Sequence, residues 1–310
     1  MNDILSDQFQ FWTPEAGEIV TCGPAQEQIP LPSIPLPIRK ELFESDRPTD
    51  DAIGTSVYDY LREFPECPNN TAYAEILRDA YPHYLADLGA HIVMLDHKDV
   101  EAPYIKRKIT SMQILLLLDP HNQGLLQQLG INFYQLALMF PELPHCRRHL
   151  AKAMQYLSRA GEDATSLNYL ARIDYLIGDF PKAIERWTRV VQMIDDPPTE
   201  AAINEQITLL QQAGEPDRSL LEDLEAIGAA MRMIADHDIT GAKSILERLE
   251  EEGSVPEQFP NPEFYYMLGF CREKLNDAAG AVASYNDALA LDPDHAPSQQ
   301  GIERVAGGGN

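Results

Sequence analysis

Basic residues are scarce in this sequence, which holds 24 lysines and arginines against 49 aspartates and glutamates and has a formal net charge of −25. A surface of that sign repels phosphate backbones and acidic lipid headgroups, which argues against nucleic-acid binding and membrane association. A basic patch on a partner protein would instead be attracted. The alternative is that the acidity serves solubility alone, and composition does not separate the two.

Cysteines are few and show no paired spacing; the four are Cys22, Cys67, Cys146 and Cys271. This usage suits a reducing compartment, in which a buried cysteine acts as a small apolar residue. The sequence also lacks an apolar run long enough to span a bilayer, and its first residues lack the basic segment and cleavage site of a secretion signal. We therefore expect a cytoplasmic protein without membrane insertion.

Catalytic signatures are missing as well. The sequence contains no glycine-rich phosphate loop, no His-Glu-x-x-His metal helix and no Gly-x-Ser-x-Gly elbow. The nearest group of metal ligands is His145, Cys146 and His149, but Cys146 falls where a small residue is expected to pack between helices. The sequence thus predicts no catalytic residues, no metal site and no cofactor.

What the sequence does contain is a helical hairpin pattern over residues 262–295, PEFYYMLGFCREKLNDAAGAVASYNDALALDPDH. Small residues at Gly269 and Ala281, twelve positions apart, mark the point where two helix backbones approach. The other pattern residues are Tyr265 and Leu268 on the first helix, the turn Asn276-Asp277, then Tyr285 and Ala288 on the second helix, and Pro293 after it. Tyr265 and Tyr285 are expected to fill the space beside the contact.

This stretch resembles a tetratricopeptide repeat, with Arg272 replacing the tyrosine usual in that family. Similar patterns run over 164–197 and 223–256, and a fourth begins at Gln123. A single hairpin cannot bury its apolar face, so repeats of this kind stack. The resemblance implies an all-α fold, a right-handed α-solenoid of helical hairpins with a divergent helical cap at its N-terminal end.

Four segments follow from this pattern. Residues 1–38 form an extended proline-rich segment, 39–120 the divergent helical cap, 121–297 the repeat array and 298–310 a flexible tail. Prolines alternate with Leu31, Ile34, Leu36 and Ile38 in the first segment, which favours extended backbone over helix. Two roles stay open for it: a strap packed on the protein's own helices, or a ligand for an aromatic groove on another protein.

The resemblance implies a binding surface on the inner helices of the array. Its residues would be Gln127, Ile131, Tyr134, Asn168, Arg172, Tyr175, Met231, Tyr266, Phe270 and Lys274. This set is mostly apolar and aromatic, which is typical of a seat for an amphipathic helix or an extended apolar peptide. Asn168 and Arg172, four apart on one helix face, are a sparse set for gripping a carboxylate.

By resemblance, the expected function is a non-enzymatic adaptor or scaffold that binds a protein or peptide segment, with basic flanks, in this concave groove. A self-associating structural protein, forming a homodimer or other homo-oligomer through the groove or an end face, is the alternative. A co-chaperone or a regulatory subunit of an enzyme complex is a third interpretation, and chemistry hidden in the cap is a fourth.

Overall fold

The chain divides into two compact units, Met1–Leu129 and Gly130–Asn310. A computed structural model describes residues 8–23, 26–43, 46–96, 101–213, 218–252 and 254–307. These residues contain fifteen α-helices, two 3-10 helices and four short strands that form two separate two-stranded sheets. The protein is therefore an all-α fold built largely of helical hairpins, as the sequence predicts.

The first unit begins with four strands and continues with helices. The strands are β1 Phe9–Trp12, β2 Ile19–Cys22, β3 Glu27–Pro30 and β4 Leu36–Arg39, followed by a 3-10 helix at Lys40–Leu42. The helices are α1 Asp50–Glu63, α2 Asn70–Ala80, α3 Pro82–Asp96 and α4 Ala102–Leu118. Helix α5, Gln123–Ala137, contains the point at which the two units divide.

The proline-rich segment packs on the helices of its own unit. Strand β1 pairs antiparallel with β4, from Phe9 opposite Arg39 to Trp12 opposite Leu36, and β2 pairs antiparallel with β3. Leu36 and Ile38 are fully buried in one apolar core with side chains of α1 and α2. The Tyr73 hydroxyl donates a hydrogen bond to the Pro35 carbonyl. Of the two roles left open by the sequence, this packing corresponds to the strap; residues 1–7 lie outside the described residues.

Local signals account for the helix ends in the cap. Thr49 caps α1 by accepting a hydrogen bond from the Ala52 amide, and Asp50 and Asp51 follow in the first turn, where acids suit the helix dipole. Pro82 splits the long apolar stripe, so that α2 ends at Ala80 and α3 begins at Pro82. The start of α1 and the break between α2 and α3 thus follow from the cap residue and the proline.

The second unit consists of helices from the middle of α5 onward. After α5 comes a 3-10 helix at Phe140–His145, then α6 Cys146–Ala160, α7 Ala164–Ile177, α8 Phe180–Met193, α9 Pro197–Ala213, α10 Leu220–Ala235 and α11 Ile239–Glu251. The last four are α12 Ser254–Gln258, α13 Pro262–Lys274, α14 Ala278–Leu291 and α15 Ala296–Gly307.

Three of the hairpins share one turn chemistry. A left-handed residue ends the first helix of each: Gly178, His237 and Asn276, with φ of 86°, 65° and 62°. An aspartate then caps the second helix by accepting a backbone hydrogen bond from the residue three positions on: Asp179, Asp238 and Asp277. The left-handed residue turns the chain sharply, and the carboxylate satisfies an amide that the helix leaves open. The periodicity seen in the sequence is thus repeated in the turns.

The terminal hairpin contains the predicted close contact between its two helices, but Phe264 takes the packing position that was expected for Tyr265. Tyr285 is fully buried and lies directly against Gly269, where a Cβ would come within 2.6 Å of the ring. The Ala281 carbonyl oxygen lies 3.2 Å from the same point. Phe264 is buried in the first helix, whereas Tyr265 stays partly exposed, so Phe264 supplies the apolar bulk expected of Tyr265.

Arg272 takes an ionic role in place of the usual tyrosine. Its guanidinium donates to the Ser284 hydroxyl at 2.6 Å and to the Glu250 carboxylate at 2.9 Å, with Glu247 at 3.3 Å. Ser284 lies on α14, and both glutamates lie on α11. One side chain therefore links the terminal hairpin to the preceding one by charge-assisted hydrogen bonds instead of aromatic packing.

Two parts of the array differ from the sequence prediction. In the hairpin pattern that begins at Gln123, the repeat spacing predicts that the small residues Gly130 and Cys146 approach each other. A Cβ at Gly130 would instead lie 2.4 Å from the Cγ of Leu157 on α6. The tail predicted as flexible from residue 298 is helix α15 as far as Gly307; residues 308–310 lie outside the described residues. Gly301 leaves room for the opposite edge of the Tyr285 ring, and Arg304 pairs with Glu273. These contacts order the helix on the terminal hairpin.

Candidate protein-binding groove

An open groove of about 720 Å³ lies within the second unit. Its walls come from the end of α5 and from α7, α8 and α9, and the start of α10 and the end of α12 complete it. Four residues of the predicted binding surface line it: Tyr134, Asn168, Arg172 and Tyr175. Ligand-binding clefts in proteins commonly have volumes of roughly 300–1,000 Å³. The groove is therefore large enough to take several side chains of a partner segment.

Aromatic rings and one cation form one side of the groove. The Tyr134 ring meets Tyr169 edge to face, with centroids 5.2 Å apart, and the Arg172 guanidinium lies over the Tyr169 ring at 5.5 Å. Burial raises the pKa of Tyr134, and the charge of Arg172 partly opposes that shift. The Tyr134 phenol thus stays protonated at neutral pH and keeps its hydrogen-bond donor.

Arg172 is the single charged residue among the described residues that line the groove. Its side chain is exposed, and no carboxylate within the described ranges forms an ion pair with it. Asn168 accepts a hydrogen bond from the Trp187 indole at 3.0 Å, which uses the amide oxygen and directs the amide nitrogen away from that bond. Arg172 and the Asn168 amide nitrogen are therefore donors that the groove can offer to a partner.

Tyr175 holds opposite walls together. Its hydroxyl donates to the Gln258 side-chain oxygen at 3.0 Å, and its ring packs on Phe180 and Trp187, with centroids 5.7 and 6.1 Å apart. Burial raises the pKa of Tyr175, while a hydrogen bond to Gln206 on α9 lowers it. Tyr175 is thus both an aromatic surface of the groove and a support for its shape.

The other predicted residues do not line this groove. They are Gln127, Ile131, Met231, Tyr266, Phe270 and Lys274. Tyr266 packs on Tyr285 and His295 in the terminal hairpin, with centroids 5.9 and 5.7 Å apart. Lys274 lies over the Phe270 ring at 5.3 Å. The repeat alignment placed these side chains on one surface, whereas the structure uses several of them inside their own hairpin.

The alignment also missed residues that do line the groove. Gln206 comes from α9, a helix between two hairpins, and Gln258 and Phe259 come from the end of the short helix α12 and the residue after it. None of these belongs to a repeat position, so hairpin periodicity could not identify them. The signal in the sequence is the apolar spacing of Ile203, Ile207 and Leu210, which indicates a helix between the middle repeats and an interruption of the array.

The histidines and cysteine near residue 146 are occupied by structural contacts. His149 lies 3.2 Å from a Glu142 carboxylate oxygen and stacks near Phe133, and Cys146 is buried. Among the described residues, no cluster of three His, Cys, Asp or Glu side chains has the geometry to hold a metal ion. His145 and His149 meet edge to face 6.2 Å apart.

Alkylation of the native protein is expected to spare Cys146 and Cys271 and to modify Cys22 and Cys67 first. Burial raises the pKa of the Cys146 thiol to about 12 and that of Cys271 to about 11, and only the thiolate reacts. Mass spectrometry after iodoacetamide treatment at about pH 8 reads each site separately. Guanidinium-unfolded protein is the control, and equal rates for Cys271 in the folded and unfolded chain would contradict its buried position.

Comparison with known proteins identifies one segment of the chain. A family model described as tetratricopeptide repeat matches residues 262–295, which are α13, α14 and the turns around them. The chain therefore contains a tetratricopeptide repeat, a module that generally mediates protein–protein interactions and is generally non-catalytic. No curated protein matches the chain. No described helix has the length and apolar character needed to cross a bilayer.

Proposed function

We propose that this protein is a non-enzymatic adaptor or scaffold that binds a partner segment in the groove lined by Tyr134, Asn168, Arg172 and Tyr175. The observation that carries the proposal is the groove itself, an aromatic cleft in the same unit as the tetratricopeptide repeat. Large aromatic side chains and arginine supply most of the energy at protein interfaces. The groove contains both aromatic side chains and an arginine, and few of its other lining residues are polar.

The chemistry of the groove favours a partner segment with apolar side chains. Tyr134, Tyr175 and Trp187 offer ring surface, and Leu138 and Ile203 add aliphatic surface. Acceptor groups on the partner, such as backbone carbonyls, would be met by Arg172 and the Asn168 amide. An extended or helical segment of a few residues fits a cleft of this size.

Charge at longer range sets a second property of the partner. The chain carries a formal net charge of −25, so basic flanks beside the bound segment would speed encounter. Apolar contacts in the groove would then determine how long the complex lasts. Added salt is expected to slow association, because it screens the long-range attraction. We place this function in the cytoplasm, which the four unpaired cysteines suit.

Self-association is the alternative, and one surface of the first unit favours it. Val93 and Met94 on α3 are 60% and 49% exposed, and neighbouring apolar side chains of this kind often mark a protein contact. Light scattering of the full-length protein separates the two proposals. A concentration-dependent dimer that the Val93→Glu change abolishes would assign this surface to a second copy of the chain.

The groove proposal predicts that Tyr175→Ala weakens partner binding by at least about 1 kcal/mol, roughly fivefold in affinity, mainly through faster dissociation. Partners are captured from native lysate on wild-type protein and identified by mass spectrometry. Each is then measured by surface plasmon resonance. Tyr265→Ala is the matched control, because this tyrosine is partly exposed on α13 and does not line the groove.

Tyr175 also supports the walls, so a second variant is needed. Arg172→Gln removes an exposed charge that lies over Tyr169 and leaves every aromatic side chain of the groove in place. The melting temperatures of all variants are checked by circular dichroism. A partner whose affinity is insensitive to both Tyr175→Ala and Arg172→Gln binds elsewhere, and the groove proposal then fails.

A further inference from the structure

A second cavity, of about 500 Å³, lies in the first unit and has a different chemistry from the groove. It is bounded by the end of β4, the last turns of α1, the second half of α3 and the first half of α4. All of its lining residues belong to the first unit. No described residue of the repeat array lines it, so this cavity has no part in the groove proposal.

The cavity is basic in an acidic protein. Four cations line it, Arg39, Arg62, Lys106 and Arg107, together with two carboxylates, Asp59 and Glu63. Over the whole sequence the ratio is reversed, with acids about twice as numerous as bases. The acidic residues of the rest of the chain repel anions at long range. The concave surface of this cavity has the opposite local charge, which favours an anion there.

Two of the cations differ from the others in their contacts with the described residues. Arg39 is committed to Asp59, with its Nε 2.7 Å from the carboxylate. Arg62 and Arg107 form no ion pair with any carboxylate within the described ranges; each lies over an aromatic ring instead. The Arg62 guanidinium is 5.2 Å from the Tyr58 ring, and that of Arg107 is 6.0 Å from the Tyr104 ring.

Stacking on a ring prepares a guanidinium to bind an anion. The ring contact restricts the rotamers of the side chain, while the in-plane N–H groups stay available for a carboxylate or phosphate. Tyr58 is itself stacked on Tyr84, with centroids 4.4 Å apart and ring planes inclined by 18°. The Tyr58 ring that Arg62 contacts is therefore held in position by a second ring. Binding a ligand would therefore cost less side-chain conformational entropy at Arg62 than at an arginine without a ring contact.

The rest of the lining selects a ligand with an apolar body. Met94, Leu95 and Tyr104 supply apolar surface beside the cations. Thr110 and Ser111 donate their hydroxyl protons to carbonyls of their own helix, at 3.0 and 3.1 Å, so they present acceptor oxygens to the cavity. An oxyanion would consequently be bound by the guanidinium groups and not by these hydroxyls.

We propose that this cavity binds a small organic anion, a carboxylate or phosphate group attached to an apolar or aromatic body. The oxyanion is held between Arg62 and Arg107, and the body packs on Met94, Leu95 and Tyr104. The volume lies within the range of small-molecule sites, roughly 300–1,000 Å³. The chain thereby gains a ligand site separate from its interaction module.

The test uses benzoate and phenyl phosphate as probes and the full-length protein. Isothermal titration calorimetry is expected to show saturable binding in the millimolar range or tighter for at least one probe, and no binding of benzyl alcohol, which lacks the charge. Arg62→Gln and Arg107→Gln are each expected to weaken it by about tenfold, the loss of a charge-assisted hydrogen bond. Arg148→Gln, the same change at an exposed arginine of the second unit, is the matched control.

The outcomes separate the two oxyanions. Tighter binding of phenyl phosphate assigns a phosphate ligand, and tighter binding of benzoate assigns a carboxylate. Both require unchanged melting temperatures in the variants. The proposal is overturned if neither probe saturates, or if the affinity is the same in wild type, Arg62→Gln and Arg107→Gln. Tyr175→Ala should leave anion binding unchanged, because Tyr175 belongs to the other unit.

Discussion

Replacing Gly269 with leucine is expected to destabilise the terminal hairpin of the second unit by about 1–3 kcal/mol or more. A side chain at 269 would begin 2.6 Å from the Tyr285 ring. The ring has little room to move away, because its opposite edge lies against Gly301 and its hydroxyl is hydrogen-bonded to Glu273 at 2.6 Å. Urea unfolding followed by circular dichroism measures the loss, and hydrogen exchange locates it in residues 262–307.

Gly89→Leu is the matched control for this substitution. Gly89 lies within α3, and a Cβ there would meet no atom within 4 Å. Leucine has a higher helix propensity than glycine, so this variant should be neutral or slightly more stable. A Gly269→Leu protein that unfolds at the wild-type urea concentration would contradict the close approach of α13 and α14.

Leu36→Ala is expected to destabilise the first unit by about 2–5 kcal/mol, the usual range for a fully buried leucine. Leu36 is 0% exposed and lies in β4, where it packs on side chains of α1 and α2. The truncation leaves a cavity between the strand and the helices. Thermal unfolding and hydrogen exchange should show the loss in residues 8–96 and spare the terminal hairpin.

Leu209→Ala, the same change at a leucine that is 53% exposed on α9, controls for the chemistry of the substitution. It should alter stability by less than about 0.5 kcal/mol. Equal effects of Leu36→Ala and Leu209→Ala would mean that the proline-rich segment is not packed as a strap. It would then be available as a ligand for another protein.

Local sequence determined the parts of this protein that depend on neighbours along the chain. The spacing of Gly269, Ala281 and Tyr285 is enough to identify the terminal hairpin, because the helical period places Ala281 and Tyr285 on one face of the second helix, to which Gly269 of the first helix can pack. Thr49 before two aspartates marks the start of α1, and Pro82 marks the break after α2. The alternating prolines of residues 30–37 exclude helix and leave extended backbone.

Only the tertiary structure decided which residues share a surface. The groove combines Tyr134 and Tyr175 with Gln206 and Gln258, residues that come from four different helices. A Cβ added to Gly228 would lie 2.8 Å from backbone atoms of Leu143 and Pro144. Such contacts depend on how hairpins pack on one another and on the helices inserted between them, and no periodic pattern specifies that packing. The same holds for Arg62 and Arg107, which lie 45 positions apart and line one cavity because α1 and α4 pack together.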